Sequence, residues 1–202
     1  MKRHITFYLI TLSLVLSVSP IVHAFTFTTI EVPGSIVTQA FGINPSGQIV
    51  GSFEDSSGKF HGFLRNKNGS FTTIDVPGST ITTTFGINPS GQIVGSFEAF
   101  SGQHGFLFHG FLRDENGNFT TIDPPGSAFT EALGINPSGQ IVGGFQDSSG
   151  VFHGFLRNKN GSFTTIDVPD SFHTLDAHGI NPSGEIVGSF VGRAELGFLA
   201  VP

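Results

Sequence analysis

Three histidines recur at one equivalent position. His61, His109 and His153 each open the run His-Gly-Phe-Leu-Arg. An imidazole is the usual general base, but a base needs a partner held at defined geometry. A position filled three times over by the same residue fits better as a strand histidine whose ring nitrogens bond a neighbouring loop or sheet. Asp75, Asp123 and Asp167, with Glu31 in the first copy, form a second equivalent set, each ahead of a Pro-containing turn. There a carboxylate accepts backbone N–H bonds. A ring of such carboxylates around a central channel, holding a cation, is the alternative. Only the fourth copy contains His173, Asp176 and His178. Asp176 and His178 are two apart, so on a strand they share a face, and with His173 they make the one conceivable His/Asp metal site. His178, however, aligns with Phe41, Phe85 and Leu133, which read as core positions, and only two ligands are aligned. No metal or cofactor is therefore expected, and no catalytic residue is assigned.

Other polar groups have simpler explanations. Arg193 and Glu195, also specific to the fourth copy, read as an exposed ion pair of little energetic weight. Asp55-Ser-Ser-Gly58 and Asp147-Ser-Ser-Gly150 resemble pieces of a calcium loop but lack its remaining ligands, and a polar turn accounts for them. The sequons at Asn68, Asn118 and Asn160 coincide with hairpin turns. An exported hydrolase or lyase would have to draw its acid/base set from His173, Asp176, His178, Arg193 and Glu195.

Composition narrows the classes further. Of 202 residues, 23 are Phe and 28 Gly, with 12% charged and no Cys or Trp. The chain is too apolar for a disordered protein and has neither disulfides nor thiolate metal sites. A net charge of −6 argues against a nucleic-acid partner. Residues 1–24 read as a secretory signal peptide. Lys2 and Arg3 precede an apolar stretch from Ile5 to Val18, Pro20 ends any helix, and Val22-His23-Ala24 offers a cleavage site after Ala24. That stretch is shorter than the ~20 residues a membrane span needs, and nothing later is long or apolar enough to serve. The mature chain, with seven bases against fifteen acids, is expected to be secreted to the cell exterior or periplasm.

What must position these residues is a repeat. Phe-Thr-Thr-Ile begins at Phe27, Phe71, Phe119 and Phe163, and Gly-Ile-Asn-Pro-Ser-Gly at Gly42, Gly86, Gly134 and Gly179. Four units of about 44 residues (25–70, 71–118, 119–162 and 163–202) fill a single repeat domain. The second is longer because His104-Gly-Phe-Leu-Phe108 duplicates the segment after it. That insert, Gln103–Phe108, should either bulge from its sheet with Phe106 and Phe108 exposed or permit a second pairing register. Each unit reads as four short strands. In the second they are Phe71–Val76, Ile81–Asn88, Gln92–Phe97 and the Phe106–Arg113 region, with a type I turn at Asn88-Pro-Ser-Gly91 and a hairpin turn at Asn116-Gly117. The strands carry apolar residues on both faces, so they should be sandwiched between neighbouring sheets.

The expected fold is therefore all-β, a β-propeller of about four four-stranded blades. Its first strand, Phe25–Glu31, would complete the last sheet and close the ring. An open stack of sheets, a β-solenoid and a ring completed by dimerisation are the alternatives.

The combination Gly-Ile-Asn-x-x-Gly-x-Ile-Val-Gly, followed by His-Gly-Phe-Leu and an Asn-Gly turn, resembles the bacterial extracellular repeats of the HAF family. Gly42–Gly51, Gly86–Gly95, Gly134–Gly143 and Gly179–Gly188 match the first part. His61–Leu64, His109–Leu112 and His153–Leu156 match the second, with Gly in place of Ala; Leu196–Leu199 lacks the His. The resemblance implies secretion and repeat structure, and no reaction. It implies too that the chain, ending at Val201-Pro202 without a sorting segment, is free rather than anchored. The function expected is that of a non-catalytic binding or structural module, with polysaccharide or a cell-surface protein as partner. A self-associating adhesin or matrix component is a further alternative.

Overall fold

A computed structural model describes residues 25–100, 102 and 105–202. The signal-peptide reading, and Gln103 and His104 of the insert, lie outside the described residues. Four antiparallel sheets follow one another along the chain. The first contains β1 (Val37–Ile43), β2 (Ile49–Glu54), β3 (Phe60–Arg65) and β4 (Phe71–Ile74). The second contains β5 (Ile81–Ile87), β6 (Ile93–Phe100), β7 (Phe106–Arg113) and β8 (Phe119–Ile122). The third contains β9 (Ser127–Ile135), β10 (Ile141–Asp147), β11 (Phe152–Arg157) and β12 (Phe163–Ile166). The fourth has three strands, β13 (His173–Ile180), β14 (Ile186–Val191) and β15 (Glu195–Ala200). In each sheet the strands lie in chain order, the layout of a propeller blade.

Local chemistry explains the turns. Asn44 opens the first: its backbone N–H donates to Gln48 O, Gly47 N–H returns to Asn44 O, and its side-chain oxygen accepts Gln48 N–H. Gly47 takes φ of 80°, which costs glycine little. Asn88, Asn136 and Asn181 repeat the arrangement. The hairpin closed by Asn66 and Ser70 forces Phe71–Ile74 to pair with β3. The sheets are therefore out of phase with the sequence units. Each of the first three takes its outer strand from the start of the next unit.

Consecutive sheets bury the core between them. Val50 and Ile74 of the first pack on Ile93, Phe97 and Phe111 of the second. Val94 and Ile122 pack likewise on Ile141 and Phe155, and Val142 on Ala177 and Ile186. Phe63, Phe111 and Phe155 are fully buried. The sandwiched strands β6 and β10 are buried through five successive residues, on both faces.

The expected ring closure is not what forms. Phe25–Ile30 is no strand, and Ile30 and Val32 pack instead on Phe53 and Phe63 of the first sheet. Phe41 and Ile43 at one end of the stack, and Val187 and Leu199 at the other, are exposed. The four blades are an open run.

The insert keeps its register. β6 and β7 extend their hairpin by Ala99↔Leu107 and Phe100↔Phe106, and His109 stays opposite Phe97 as His61 stays opposite Phe53. Phe100 and Phe106 meet edge-on at the exposed tip, while Phe108 turns onto Phe129. A unit-specific substitution leaves one mark in the core. Val76 N–H donates to Thr82 Oγ1, but Pro124 at the corresponding place has no N–H, and the buried Thr130 Oγ1 has no partner.

Candidate functional site

The two repeated polar sets are partners of one another. His61 on β3 has Nδ1 2.8 Å from Asp75, just past β4, and Nε2 3.2 Å from Asp55 in the β2–β3 turn. His153 repeats this with Asp167 at 2.8 Å and Asp147 at 3.4 Å. His109 keeps Asp123 at 2.8 Å, but Ala99 replaces the turn aspartate. Phe53, Phe97 and Phe145 lie against the three imidazoles. The clasps of His61 and His153 tie a hairpin loop to the exit of the outer strand, and that of His109 ties only β7 to the exit of β8. Hydrogen bonds from the Ser57 and Ser149 hydroxyls and from nearby backbone N–H groups hold the Asp55 and Asp147 carboxyls well below the usual range. Burial works against a proton on His153, yet the bonds to Asp167 and Asp147 together outweigh it and raise its pKa.

The metal candidates separate. His173 starts β13 and meets Phe152 edge-on, its Nδ1 buried without a partner. His178 is exposed on a bulge, 3.3 Å from the Ser189 hydroxyl. The aligned residues Phe41, Phe85 and Leu133 are bulge residues too, none of them fully buried, so this is not a core position. Among the described residues no three His, Asp or Glu side chains converge as a metal set. Arg193, on the β14–β15 turn, and Glu195, the first residue of β15, are exposed, and among the described residues neither forms an ion pair.

Asp176 has a different neighbour. Thr174 and Gly179 are separated by one residue more than Thr82 and Gly86 are. β13 absorbs the extra residue in a second bulge, at Thr174/Asp176. The Asp176 carboxylate lies over Gly144, where a Cβ would collide with it; Ser52, Ser96 and Ser189 stand at the equivalent places. On β9, Glu131 is half-buried beside it. Burial, then the charge of Asp176, pushes the Glu131 pKa up, against a hydrogen bond with Ser96. Burial likewise raises Asp176, opposed by His178. Sequence reading missed Glu131. Aligning Gln39, Thr83, Glu131 and Asp176, which pair with Ser52, Ser96, Gly144 and Ser189, would have exposed it as a position that is acidic only in the third and fourth units.

A groove of about 360 Å³ runs between the second and third sheets on the turn side, lined by Ser90, Gln92, Glu115, Ser138, Arg157 and Lys159. It too was missed, and its signal lay in a broken repeat. Asn66-Lys67 and Asn158-Lys159 become Asp114-Glu115 in the second unit. Gln48 and Gln140 each donate to the asparagine of their own sheet, Asn66 and Asn158. Asp114 instead accepts from Asn118 and the Asn116 backbone, and the Gln92 amide has no such partner. The groove therefore holds the N–H side of the Gln92 amide, whose oxygen is taken by Asn88, with a carboxylate, a guanidinium and an ammonium.

The fold, with blades of consecutive antiparallel strands, defines an all-β chain of propeller type. No family model matches the sequence, and no curated protein is detectably similar to it. Among solved structures, TolB from Acinetobacter baumannii aligns with a TM-score of 0.56 at 15% identity, over 83% of this chain and 44% of its own. A catalytically inactive virginiamycin B lyase from Staphylococcus aureus, with quinupristin, gives 0.45 at 13% identity, over 82% of this chain and 56% of its own. This chain thus spans roughly half the length of either. At such identity the likeness to TolB is one of fold. Among the described residues no helix is long and apolar enough to cross a membrane.

Proposed function

We propose that this chain is a non-catalytic binding module of the cell exterior, and that the groove between the second and third sheets takes a polar, carboxylate-bearing ligand such as an acidic polysaccharide. The lining of that groove carries the reading: the recurring Arg157 and Lys159 face Gln92 and Glu115, which only the second unit presents in this way. Arg157 and Lys159 match a carboxylate, the guanidinium in bidentate fashion, while Glu115 and the Gln92 amide match hydroxyls. The leader-like residues 1–24 and the HAF-type repeats support the exterior location. Thermal denaturation with a panel of acidic and neutral glycans tests it, since a ligand of the folded state raises Tm. An acidic glycan should raise Tm in the wild type and not in Arg157→Ala/Lys159→Ala, whose unliganded Tm stays near that of the wild type. A panel without effect, or an unchanged response in the double variant, rejects the reading.

The alternative of an exported hydrolase or lyase rests on Glu131 and Asp176, a half-buried pair whose pKa values are both raised by burial, the direction a general acid requires. Glu131→Gln separates the readings. Burial and repulsion raise the Glu131 pKa, so its ionisation costs stability as pH rises through the folded-state value. The binding module should therefore gain stability from this substitution at pH 7, more than at pH 4, and keep its ligand response. An enzyme should lose turnover.

A further inference from the structure

Among the described residues the fourth sheet lacks an outer strand, and the first sheet carries a strand-like segment that belongs to no sheet. Phe27-Thr-Thr-Ile30 has the same sequence as β4, β8 and β12, which complete the first three sheets. Its anchorage is the same as well. Val32 N–H donates to Thr38 Oγ1 at 3.2 Å, as Val76 N–H does to Thr82 Oγ1 on the way from β4 into β5. Ile30 packs on the first sheet as Ile74 packs on the second. The segment is thus held where the outer strand of a preceding sheet would lie, with Phe27 91% exposed. Among the described residues, β15, the equivalent of β3, β7 and β11, has no strand on its outer edge.

The seam between sheets is also prepared at both ends. Asn44 donates its side-chain N–H to Asn88 O, Asn88 to Asn136 O, and Asn136 to Asn181 O. Among the described residues, the Asn181 side-chain N–H closes only onto its own Glu185, and Asn44 O receives only Gly47 N–H. A Cβ on Gly42, Gly86 or Gly134 would press within 3.0 Å of the next sheet's backbone, whereas Gly179 keeps the glycine with no sheet beyond it.

We propose that the occupant of both ends is a second copy of this chain. Phe27–Ile30 of one copy adds to β15 of the other, with Ile30 opposite Gly197 and Thr28 opposite Leu199, the register of Ile74 and Thr72 on β3. Asn181 then donates to Asn44 O of the second copy. The contact is head-to-tail, strand addition to an open edge, and it continues an interface the chain already builds three times. Closure within one chain is excluded by Ile43 and Leu199, 69% and 63% exposed on the two faces that would have to meet. Leu196 and Glu31 replace the His and Asp of the internal clasp at this seam, so it is weaker than the internal ones.

Sedimentation velocity of the purified protein over a concentration series tests the proposal. The wild type should assemble beyond a monomer. Thr28→Pro/Thr29→Pro, in an exposed segment outside any strand, should leave the circular dichroism unchanged and weaken association by about tenfold or more, the effect of a lost ladder hydrogen bond. Leu199→Asp, also exposed, should weaken it as well. A wild type that stays monomeric throughout, or variants that assemble as it does, overturns the proposal. Because neither variant touches the groove, its glycan response is read separately.

Discussion

Val94 and Val187 occupy the same place in their sheets, yet Val94 is 0% exposed and Val187 51%. Val94 meets Ala132 and Ile141 of the next sheet; Val187 meets no further sheet. The local sequence Ile-Val-Gly-Ser-Phe is identical in both. What makes a core residue in this molecule is the neighbour rather than the strand, as in other proteins built of stacked repeats.

The largest test of that contrast is truncation of a buried ring. Phe111→Ala should cost about 3–5 kcal/mol in denaturant titration, and Phe198→Ala in the fourth sheet markedly less, because Phe198 is only partly covered. Equal costs would mean that the last sheet is as well covered as the second. The next effect is steric. Gly86→Ala sets a Cβ 3.0 Å from Leu133 O and should destabilise by about 1–3 kcal/mol, as overpacking does. Gly179→Ala meets only a Val187 methyl at 3.3 Å and should be nearly neutral in the monomer. The smallest effect is electrostatic. The raised pKa of His153 means its bonds to Asp167 and Asp147 contribute fully below the unfolded value and are lost as pH rises through the folded one. Asp167→Asn should therefore lower Tm more at pH 5.5 than at pH 8.5. The fourth sheet, with Leu196 at this position, has no such clasp to lose.

The turns and strands were legible because their signals are local. Asn-Pro-Ser-Gly marks each tight turn, and the expected Ile81–Asn88 and Phe106–Arg113 match β5 and β7. The phase of the sheets was half visible, since the Asn-Gly hairpins already implied that Phe71 pairs backwards with β3. Closure was not legible. It depends on the angle between packed sheets, which periodicity does not encode, and Phe27–Ile30 reads identically whether it is paired or waiting. The candidate sites escaped for the opposite reason. The recurring set, His61 with Asp75 and their copies, ties the scaffold together, and of the residues singled out in the fourth unit only Asp176 lies in a candidate site. Glu131, the Asp114-Glu115 change and the extra residue in β13 are departures from the repeat. They become visible only by laying the units side by side and asking where one differs.

Every pairing in these sheets joins strands that are consecutive along the chain, separated by short turns. Such a topology has little loop-closure entropy to overcome before its first contacts form. The three full sheets are thus equivalent starting points, and folding can begin at any of them and spread outward in both directions. A lesion in one unit should slow the passage of order across it while leaving the other starting points intact.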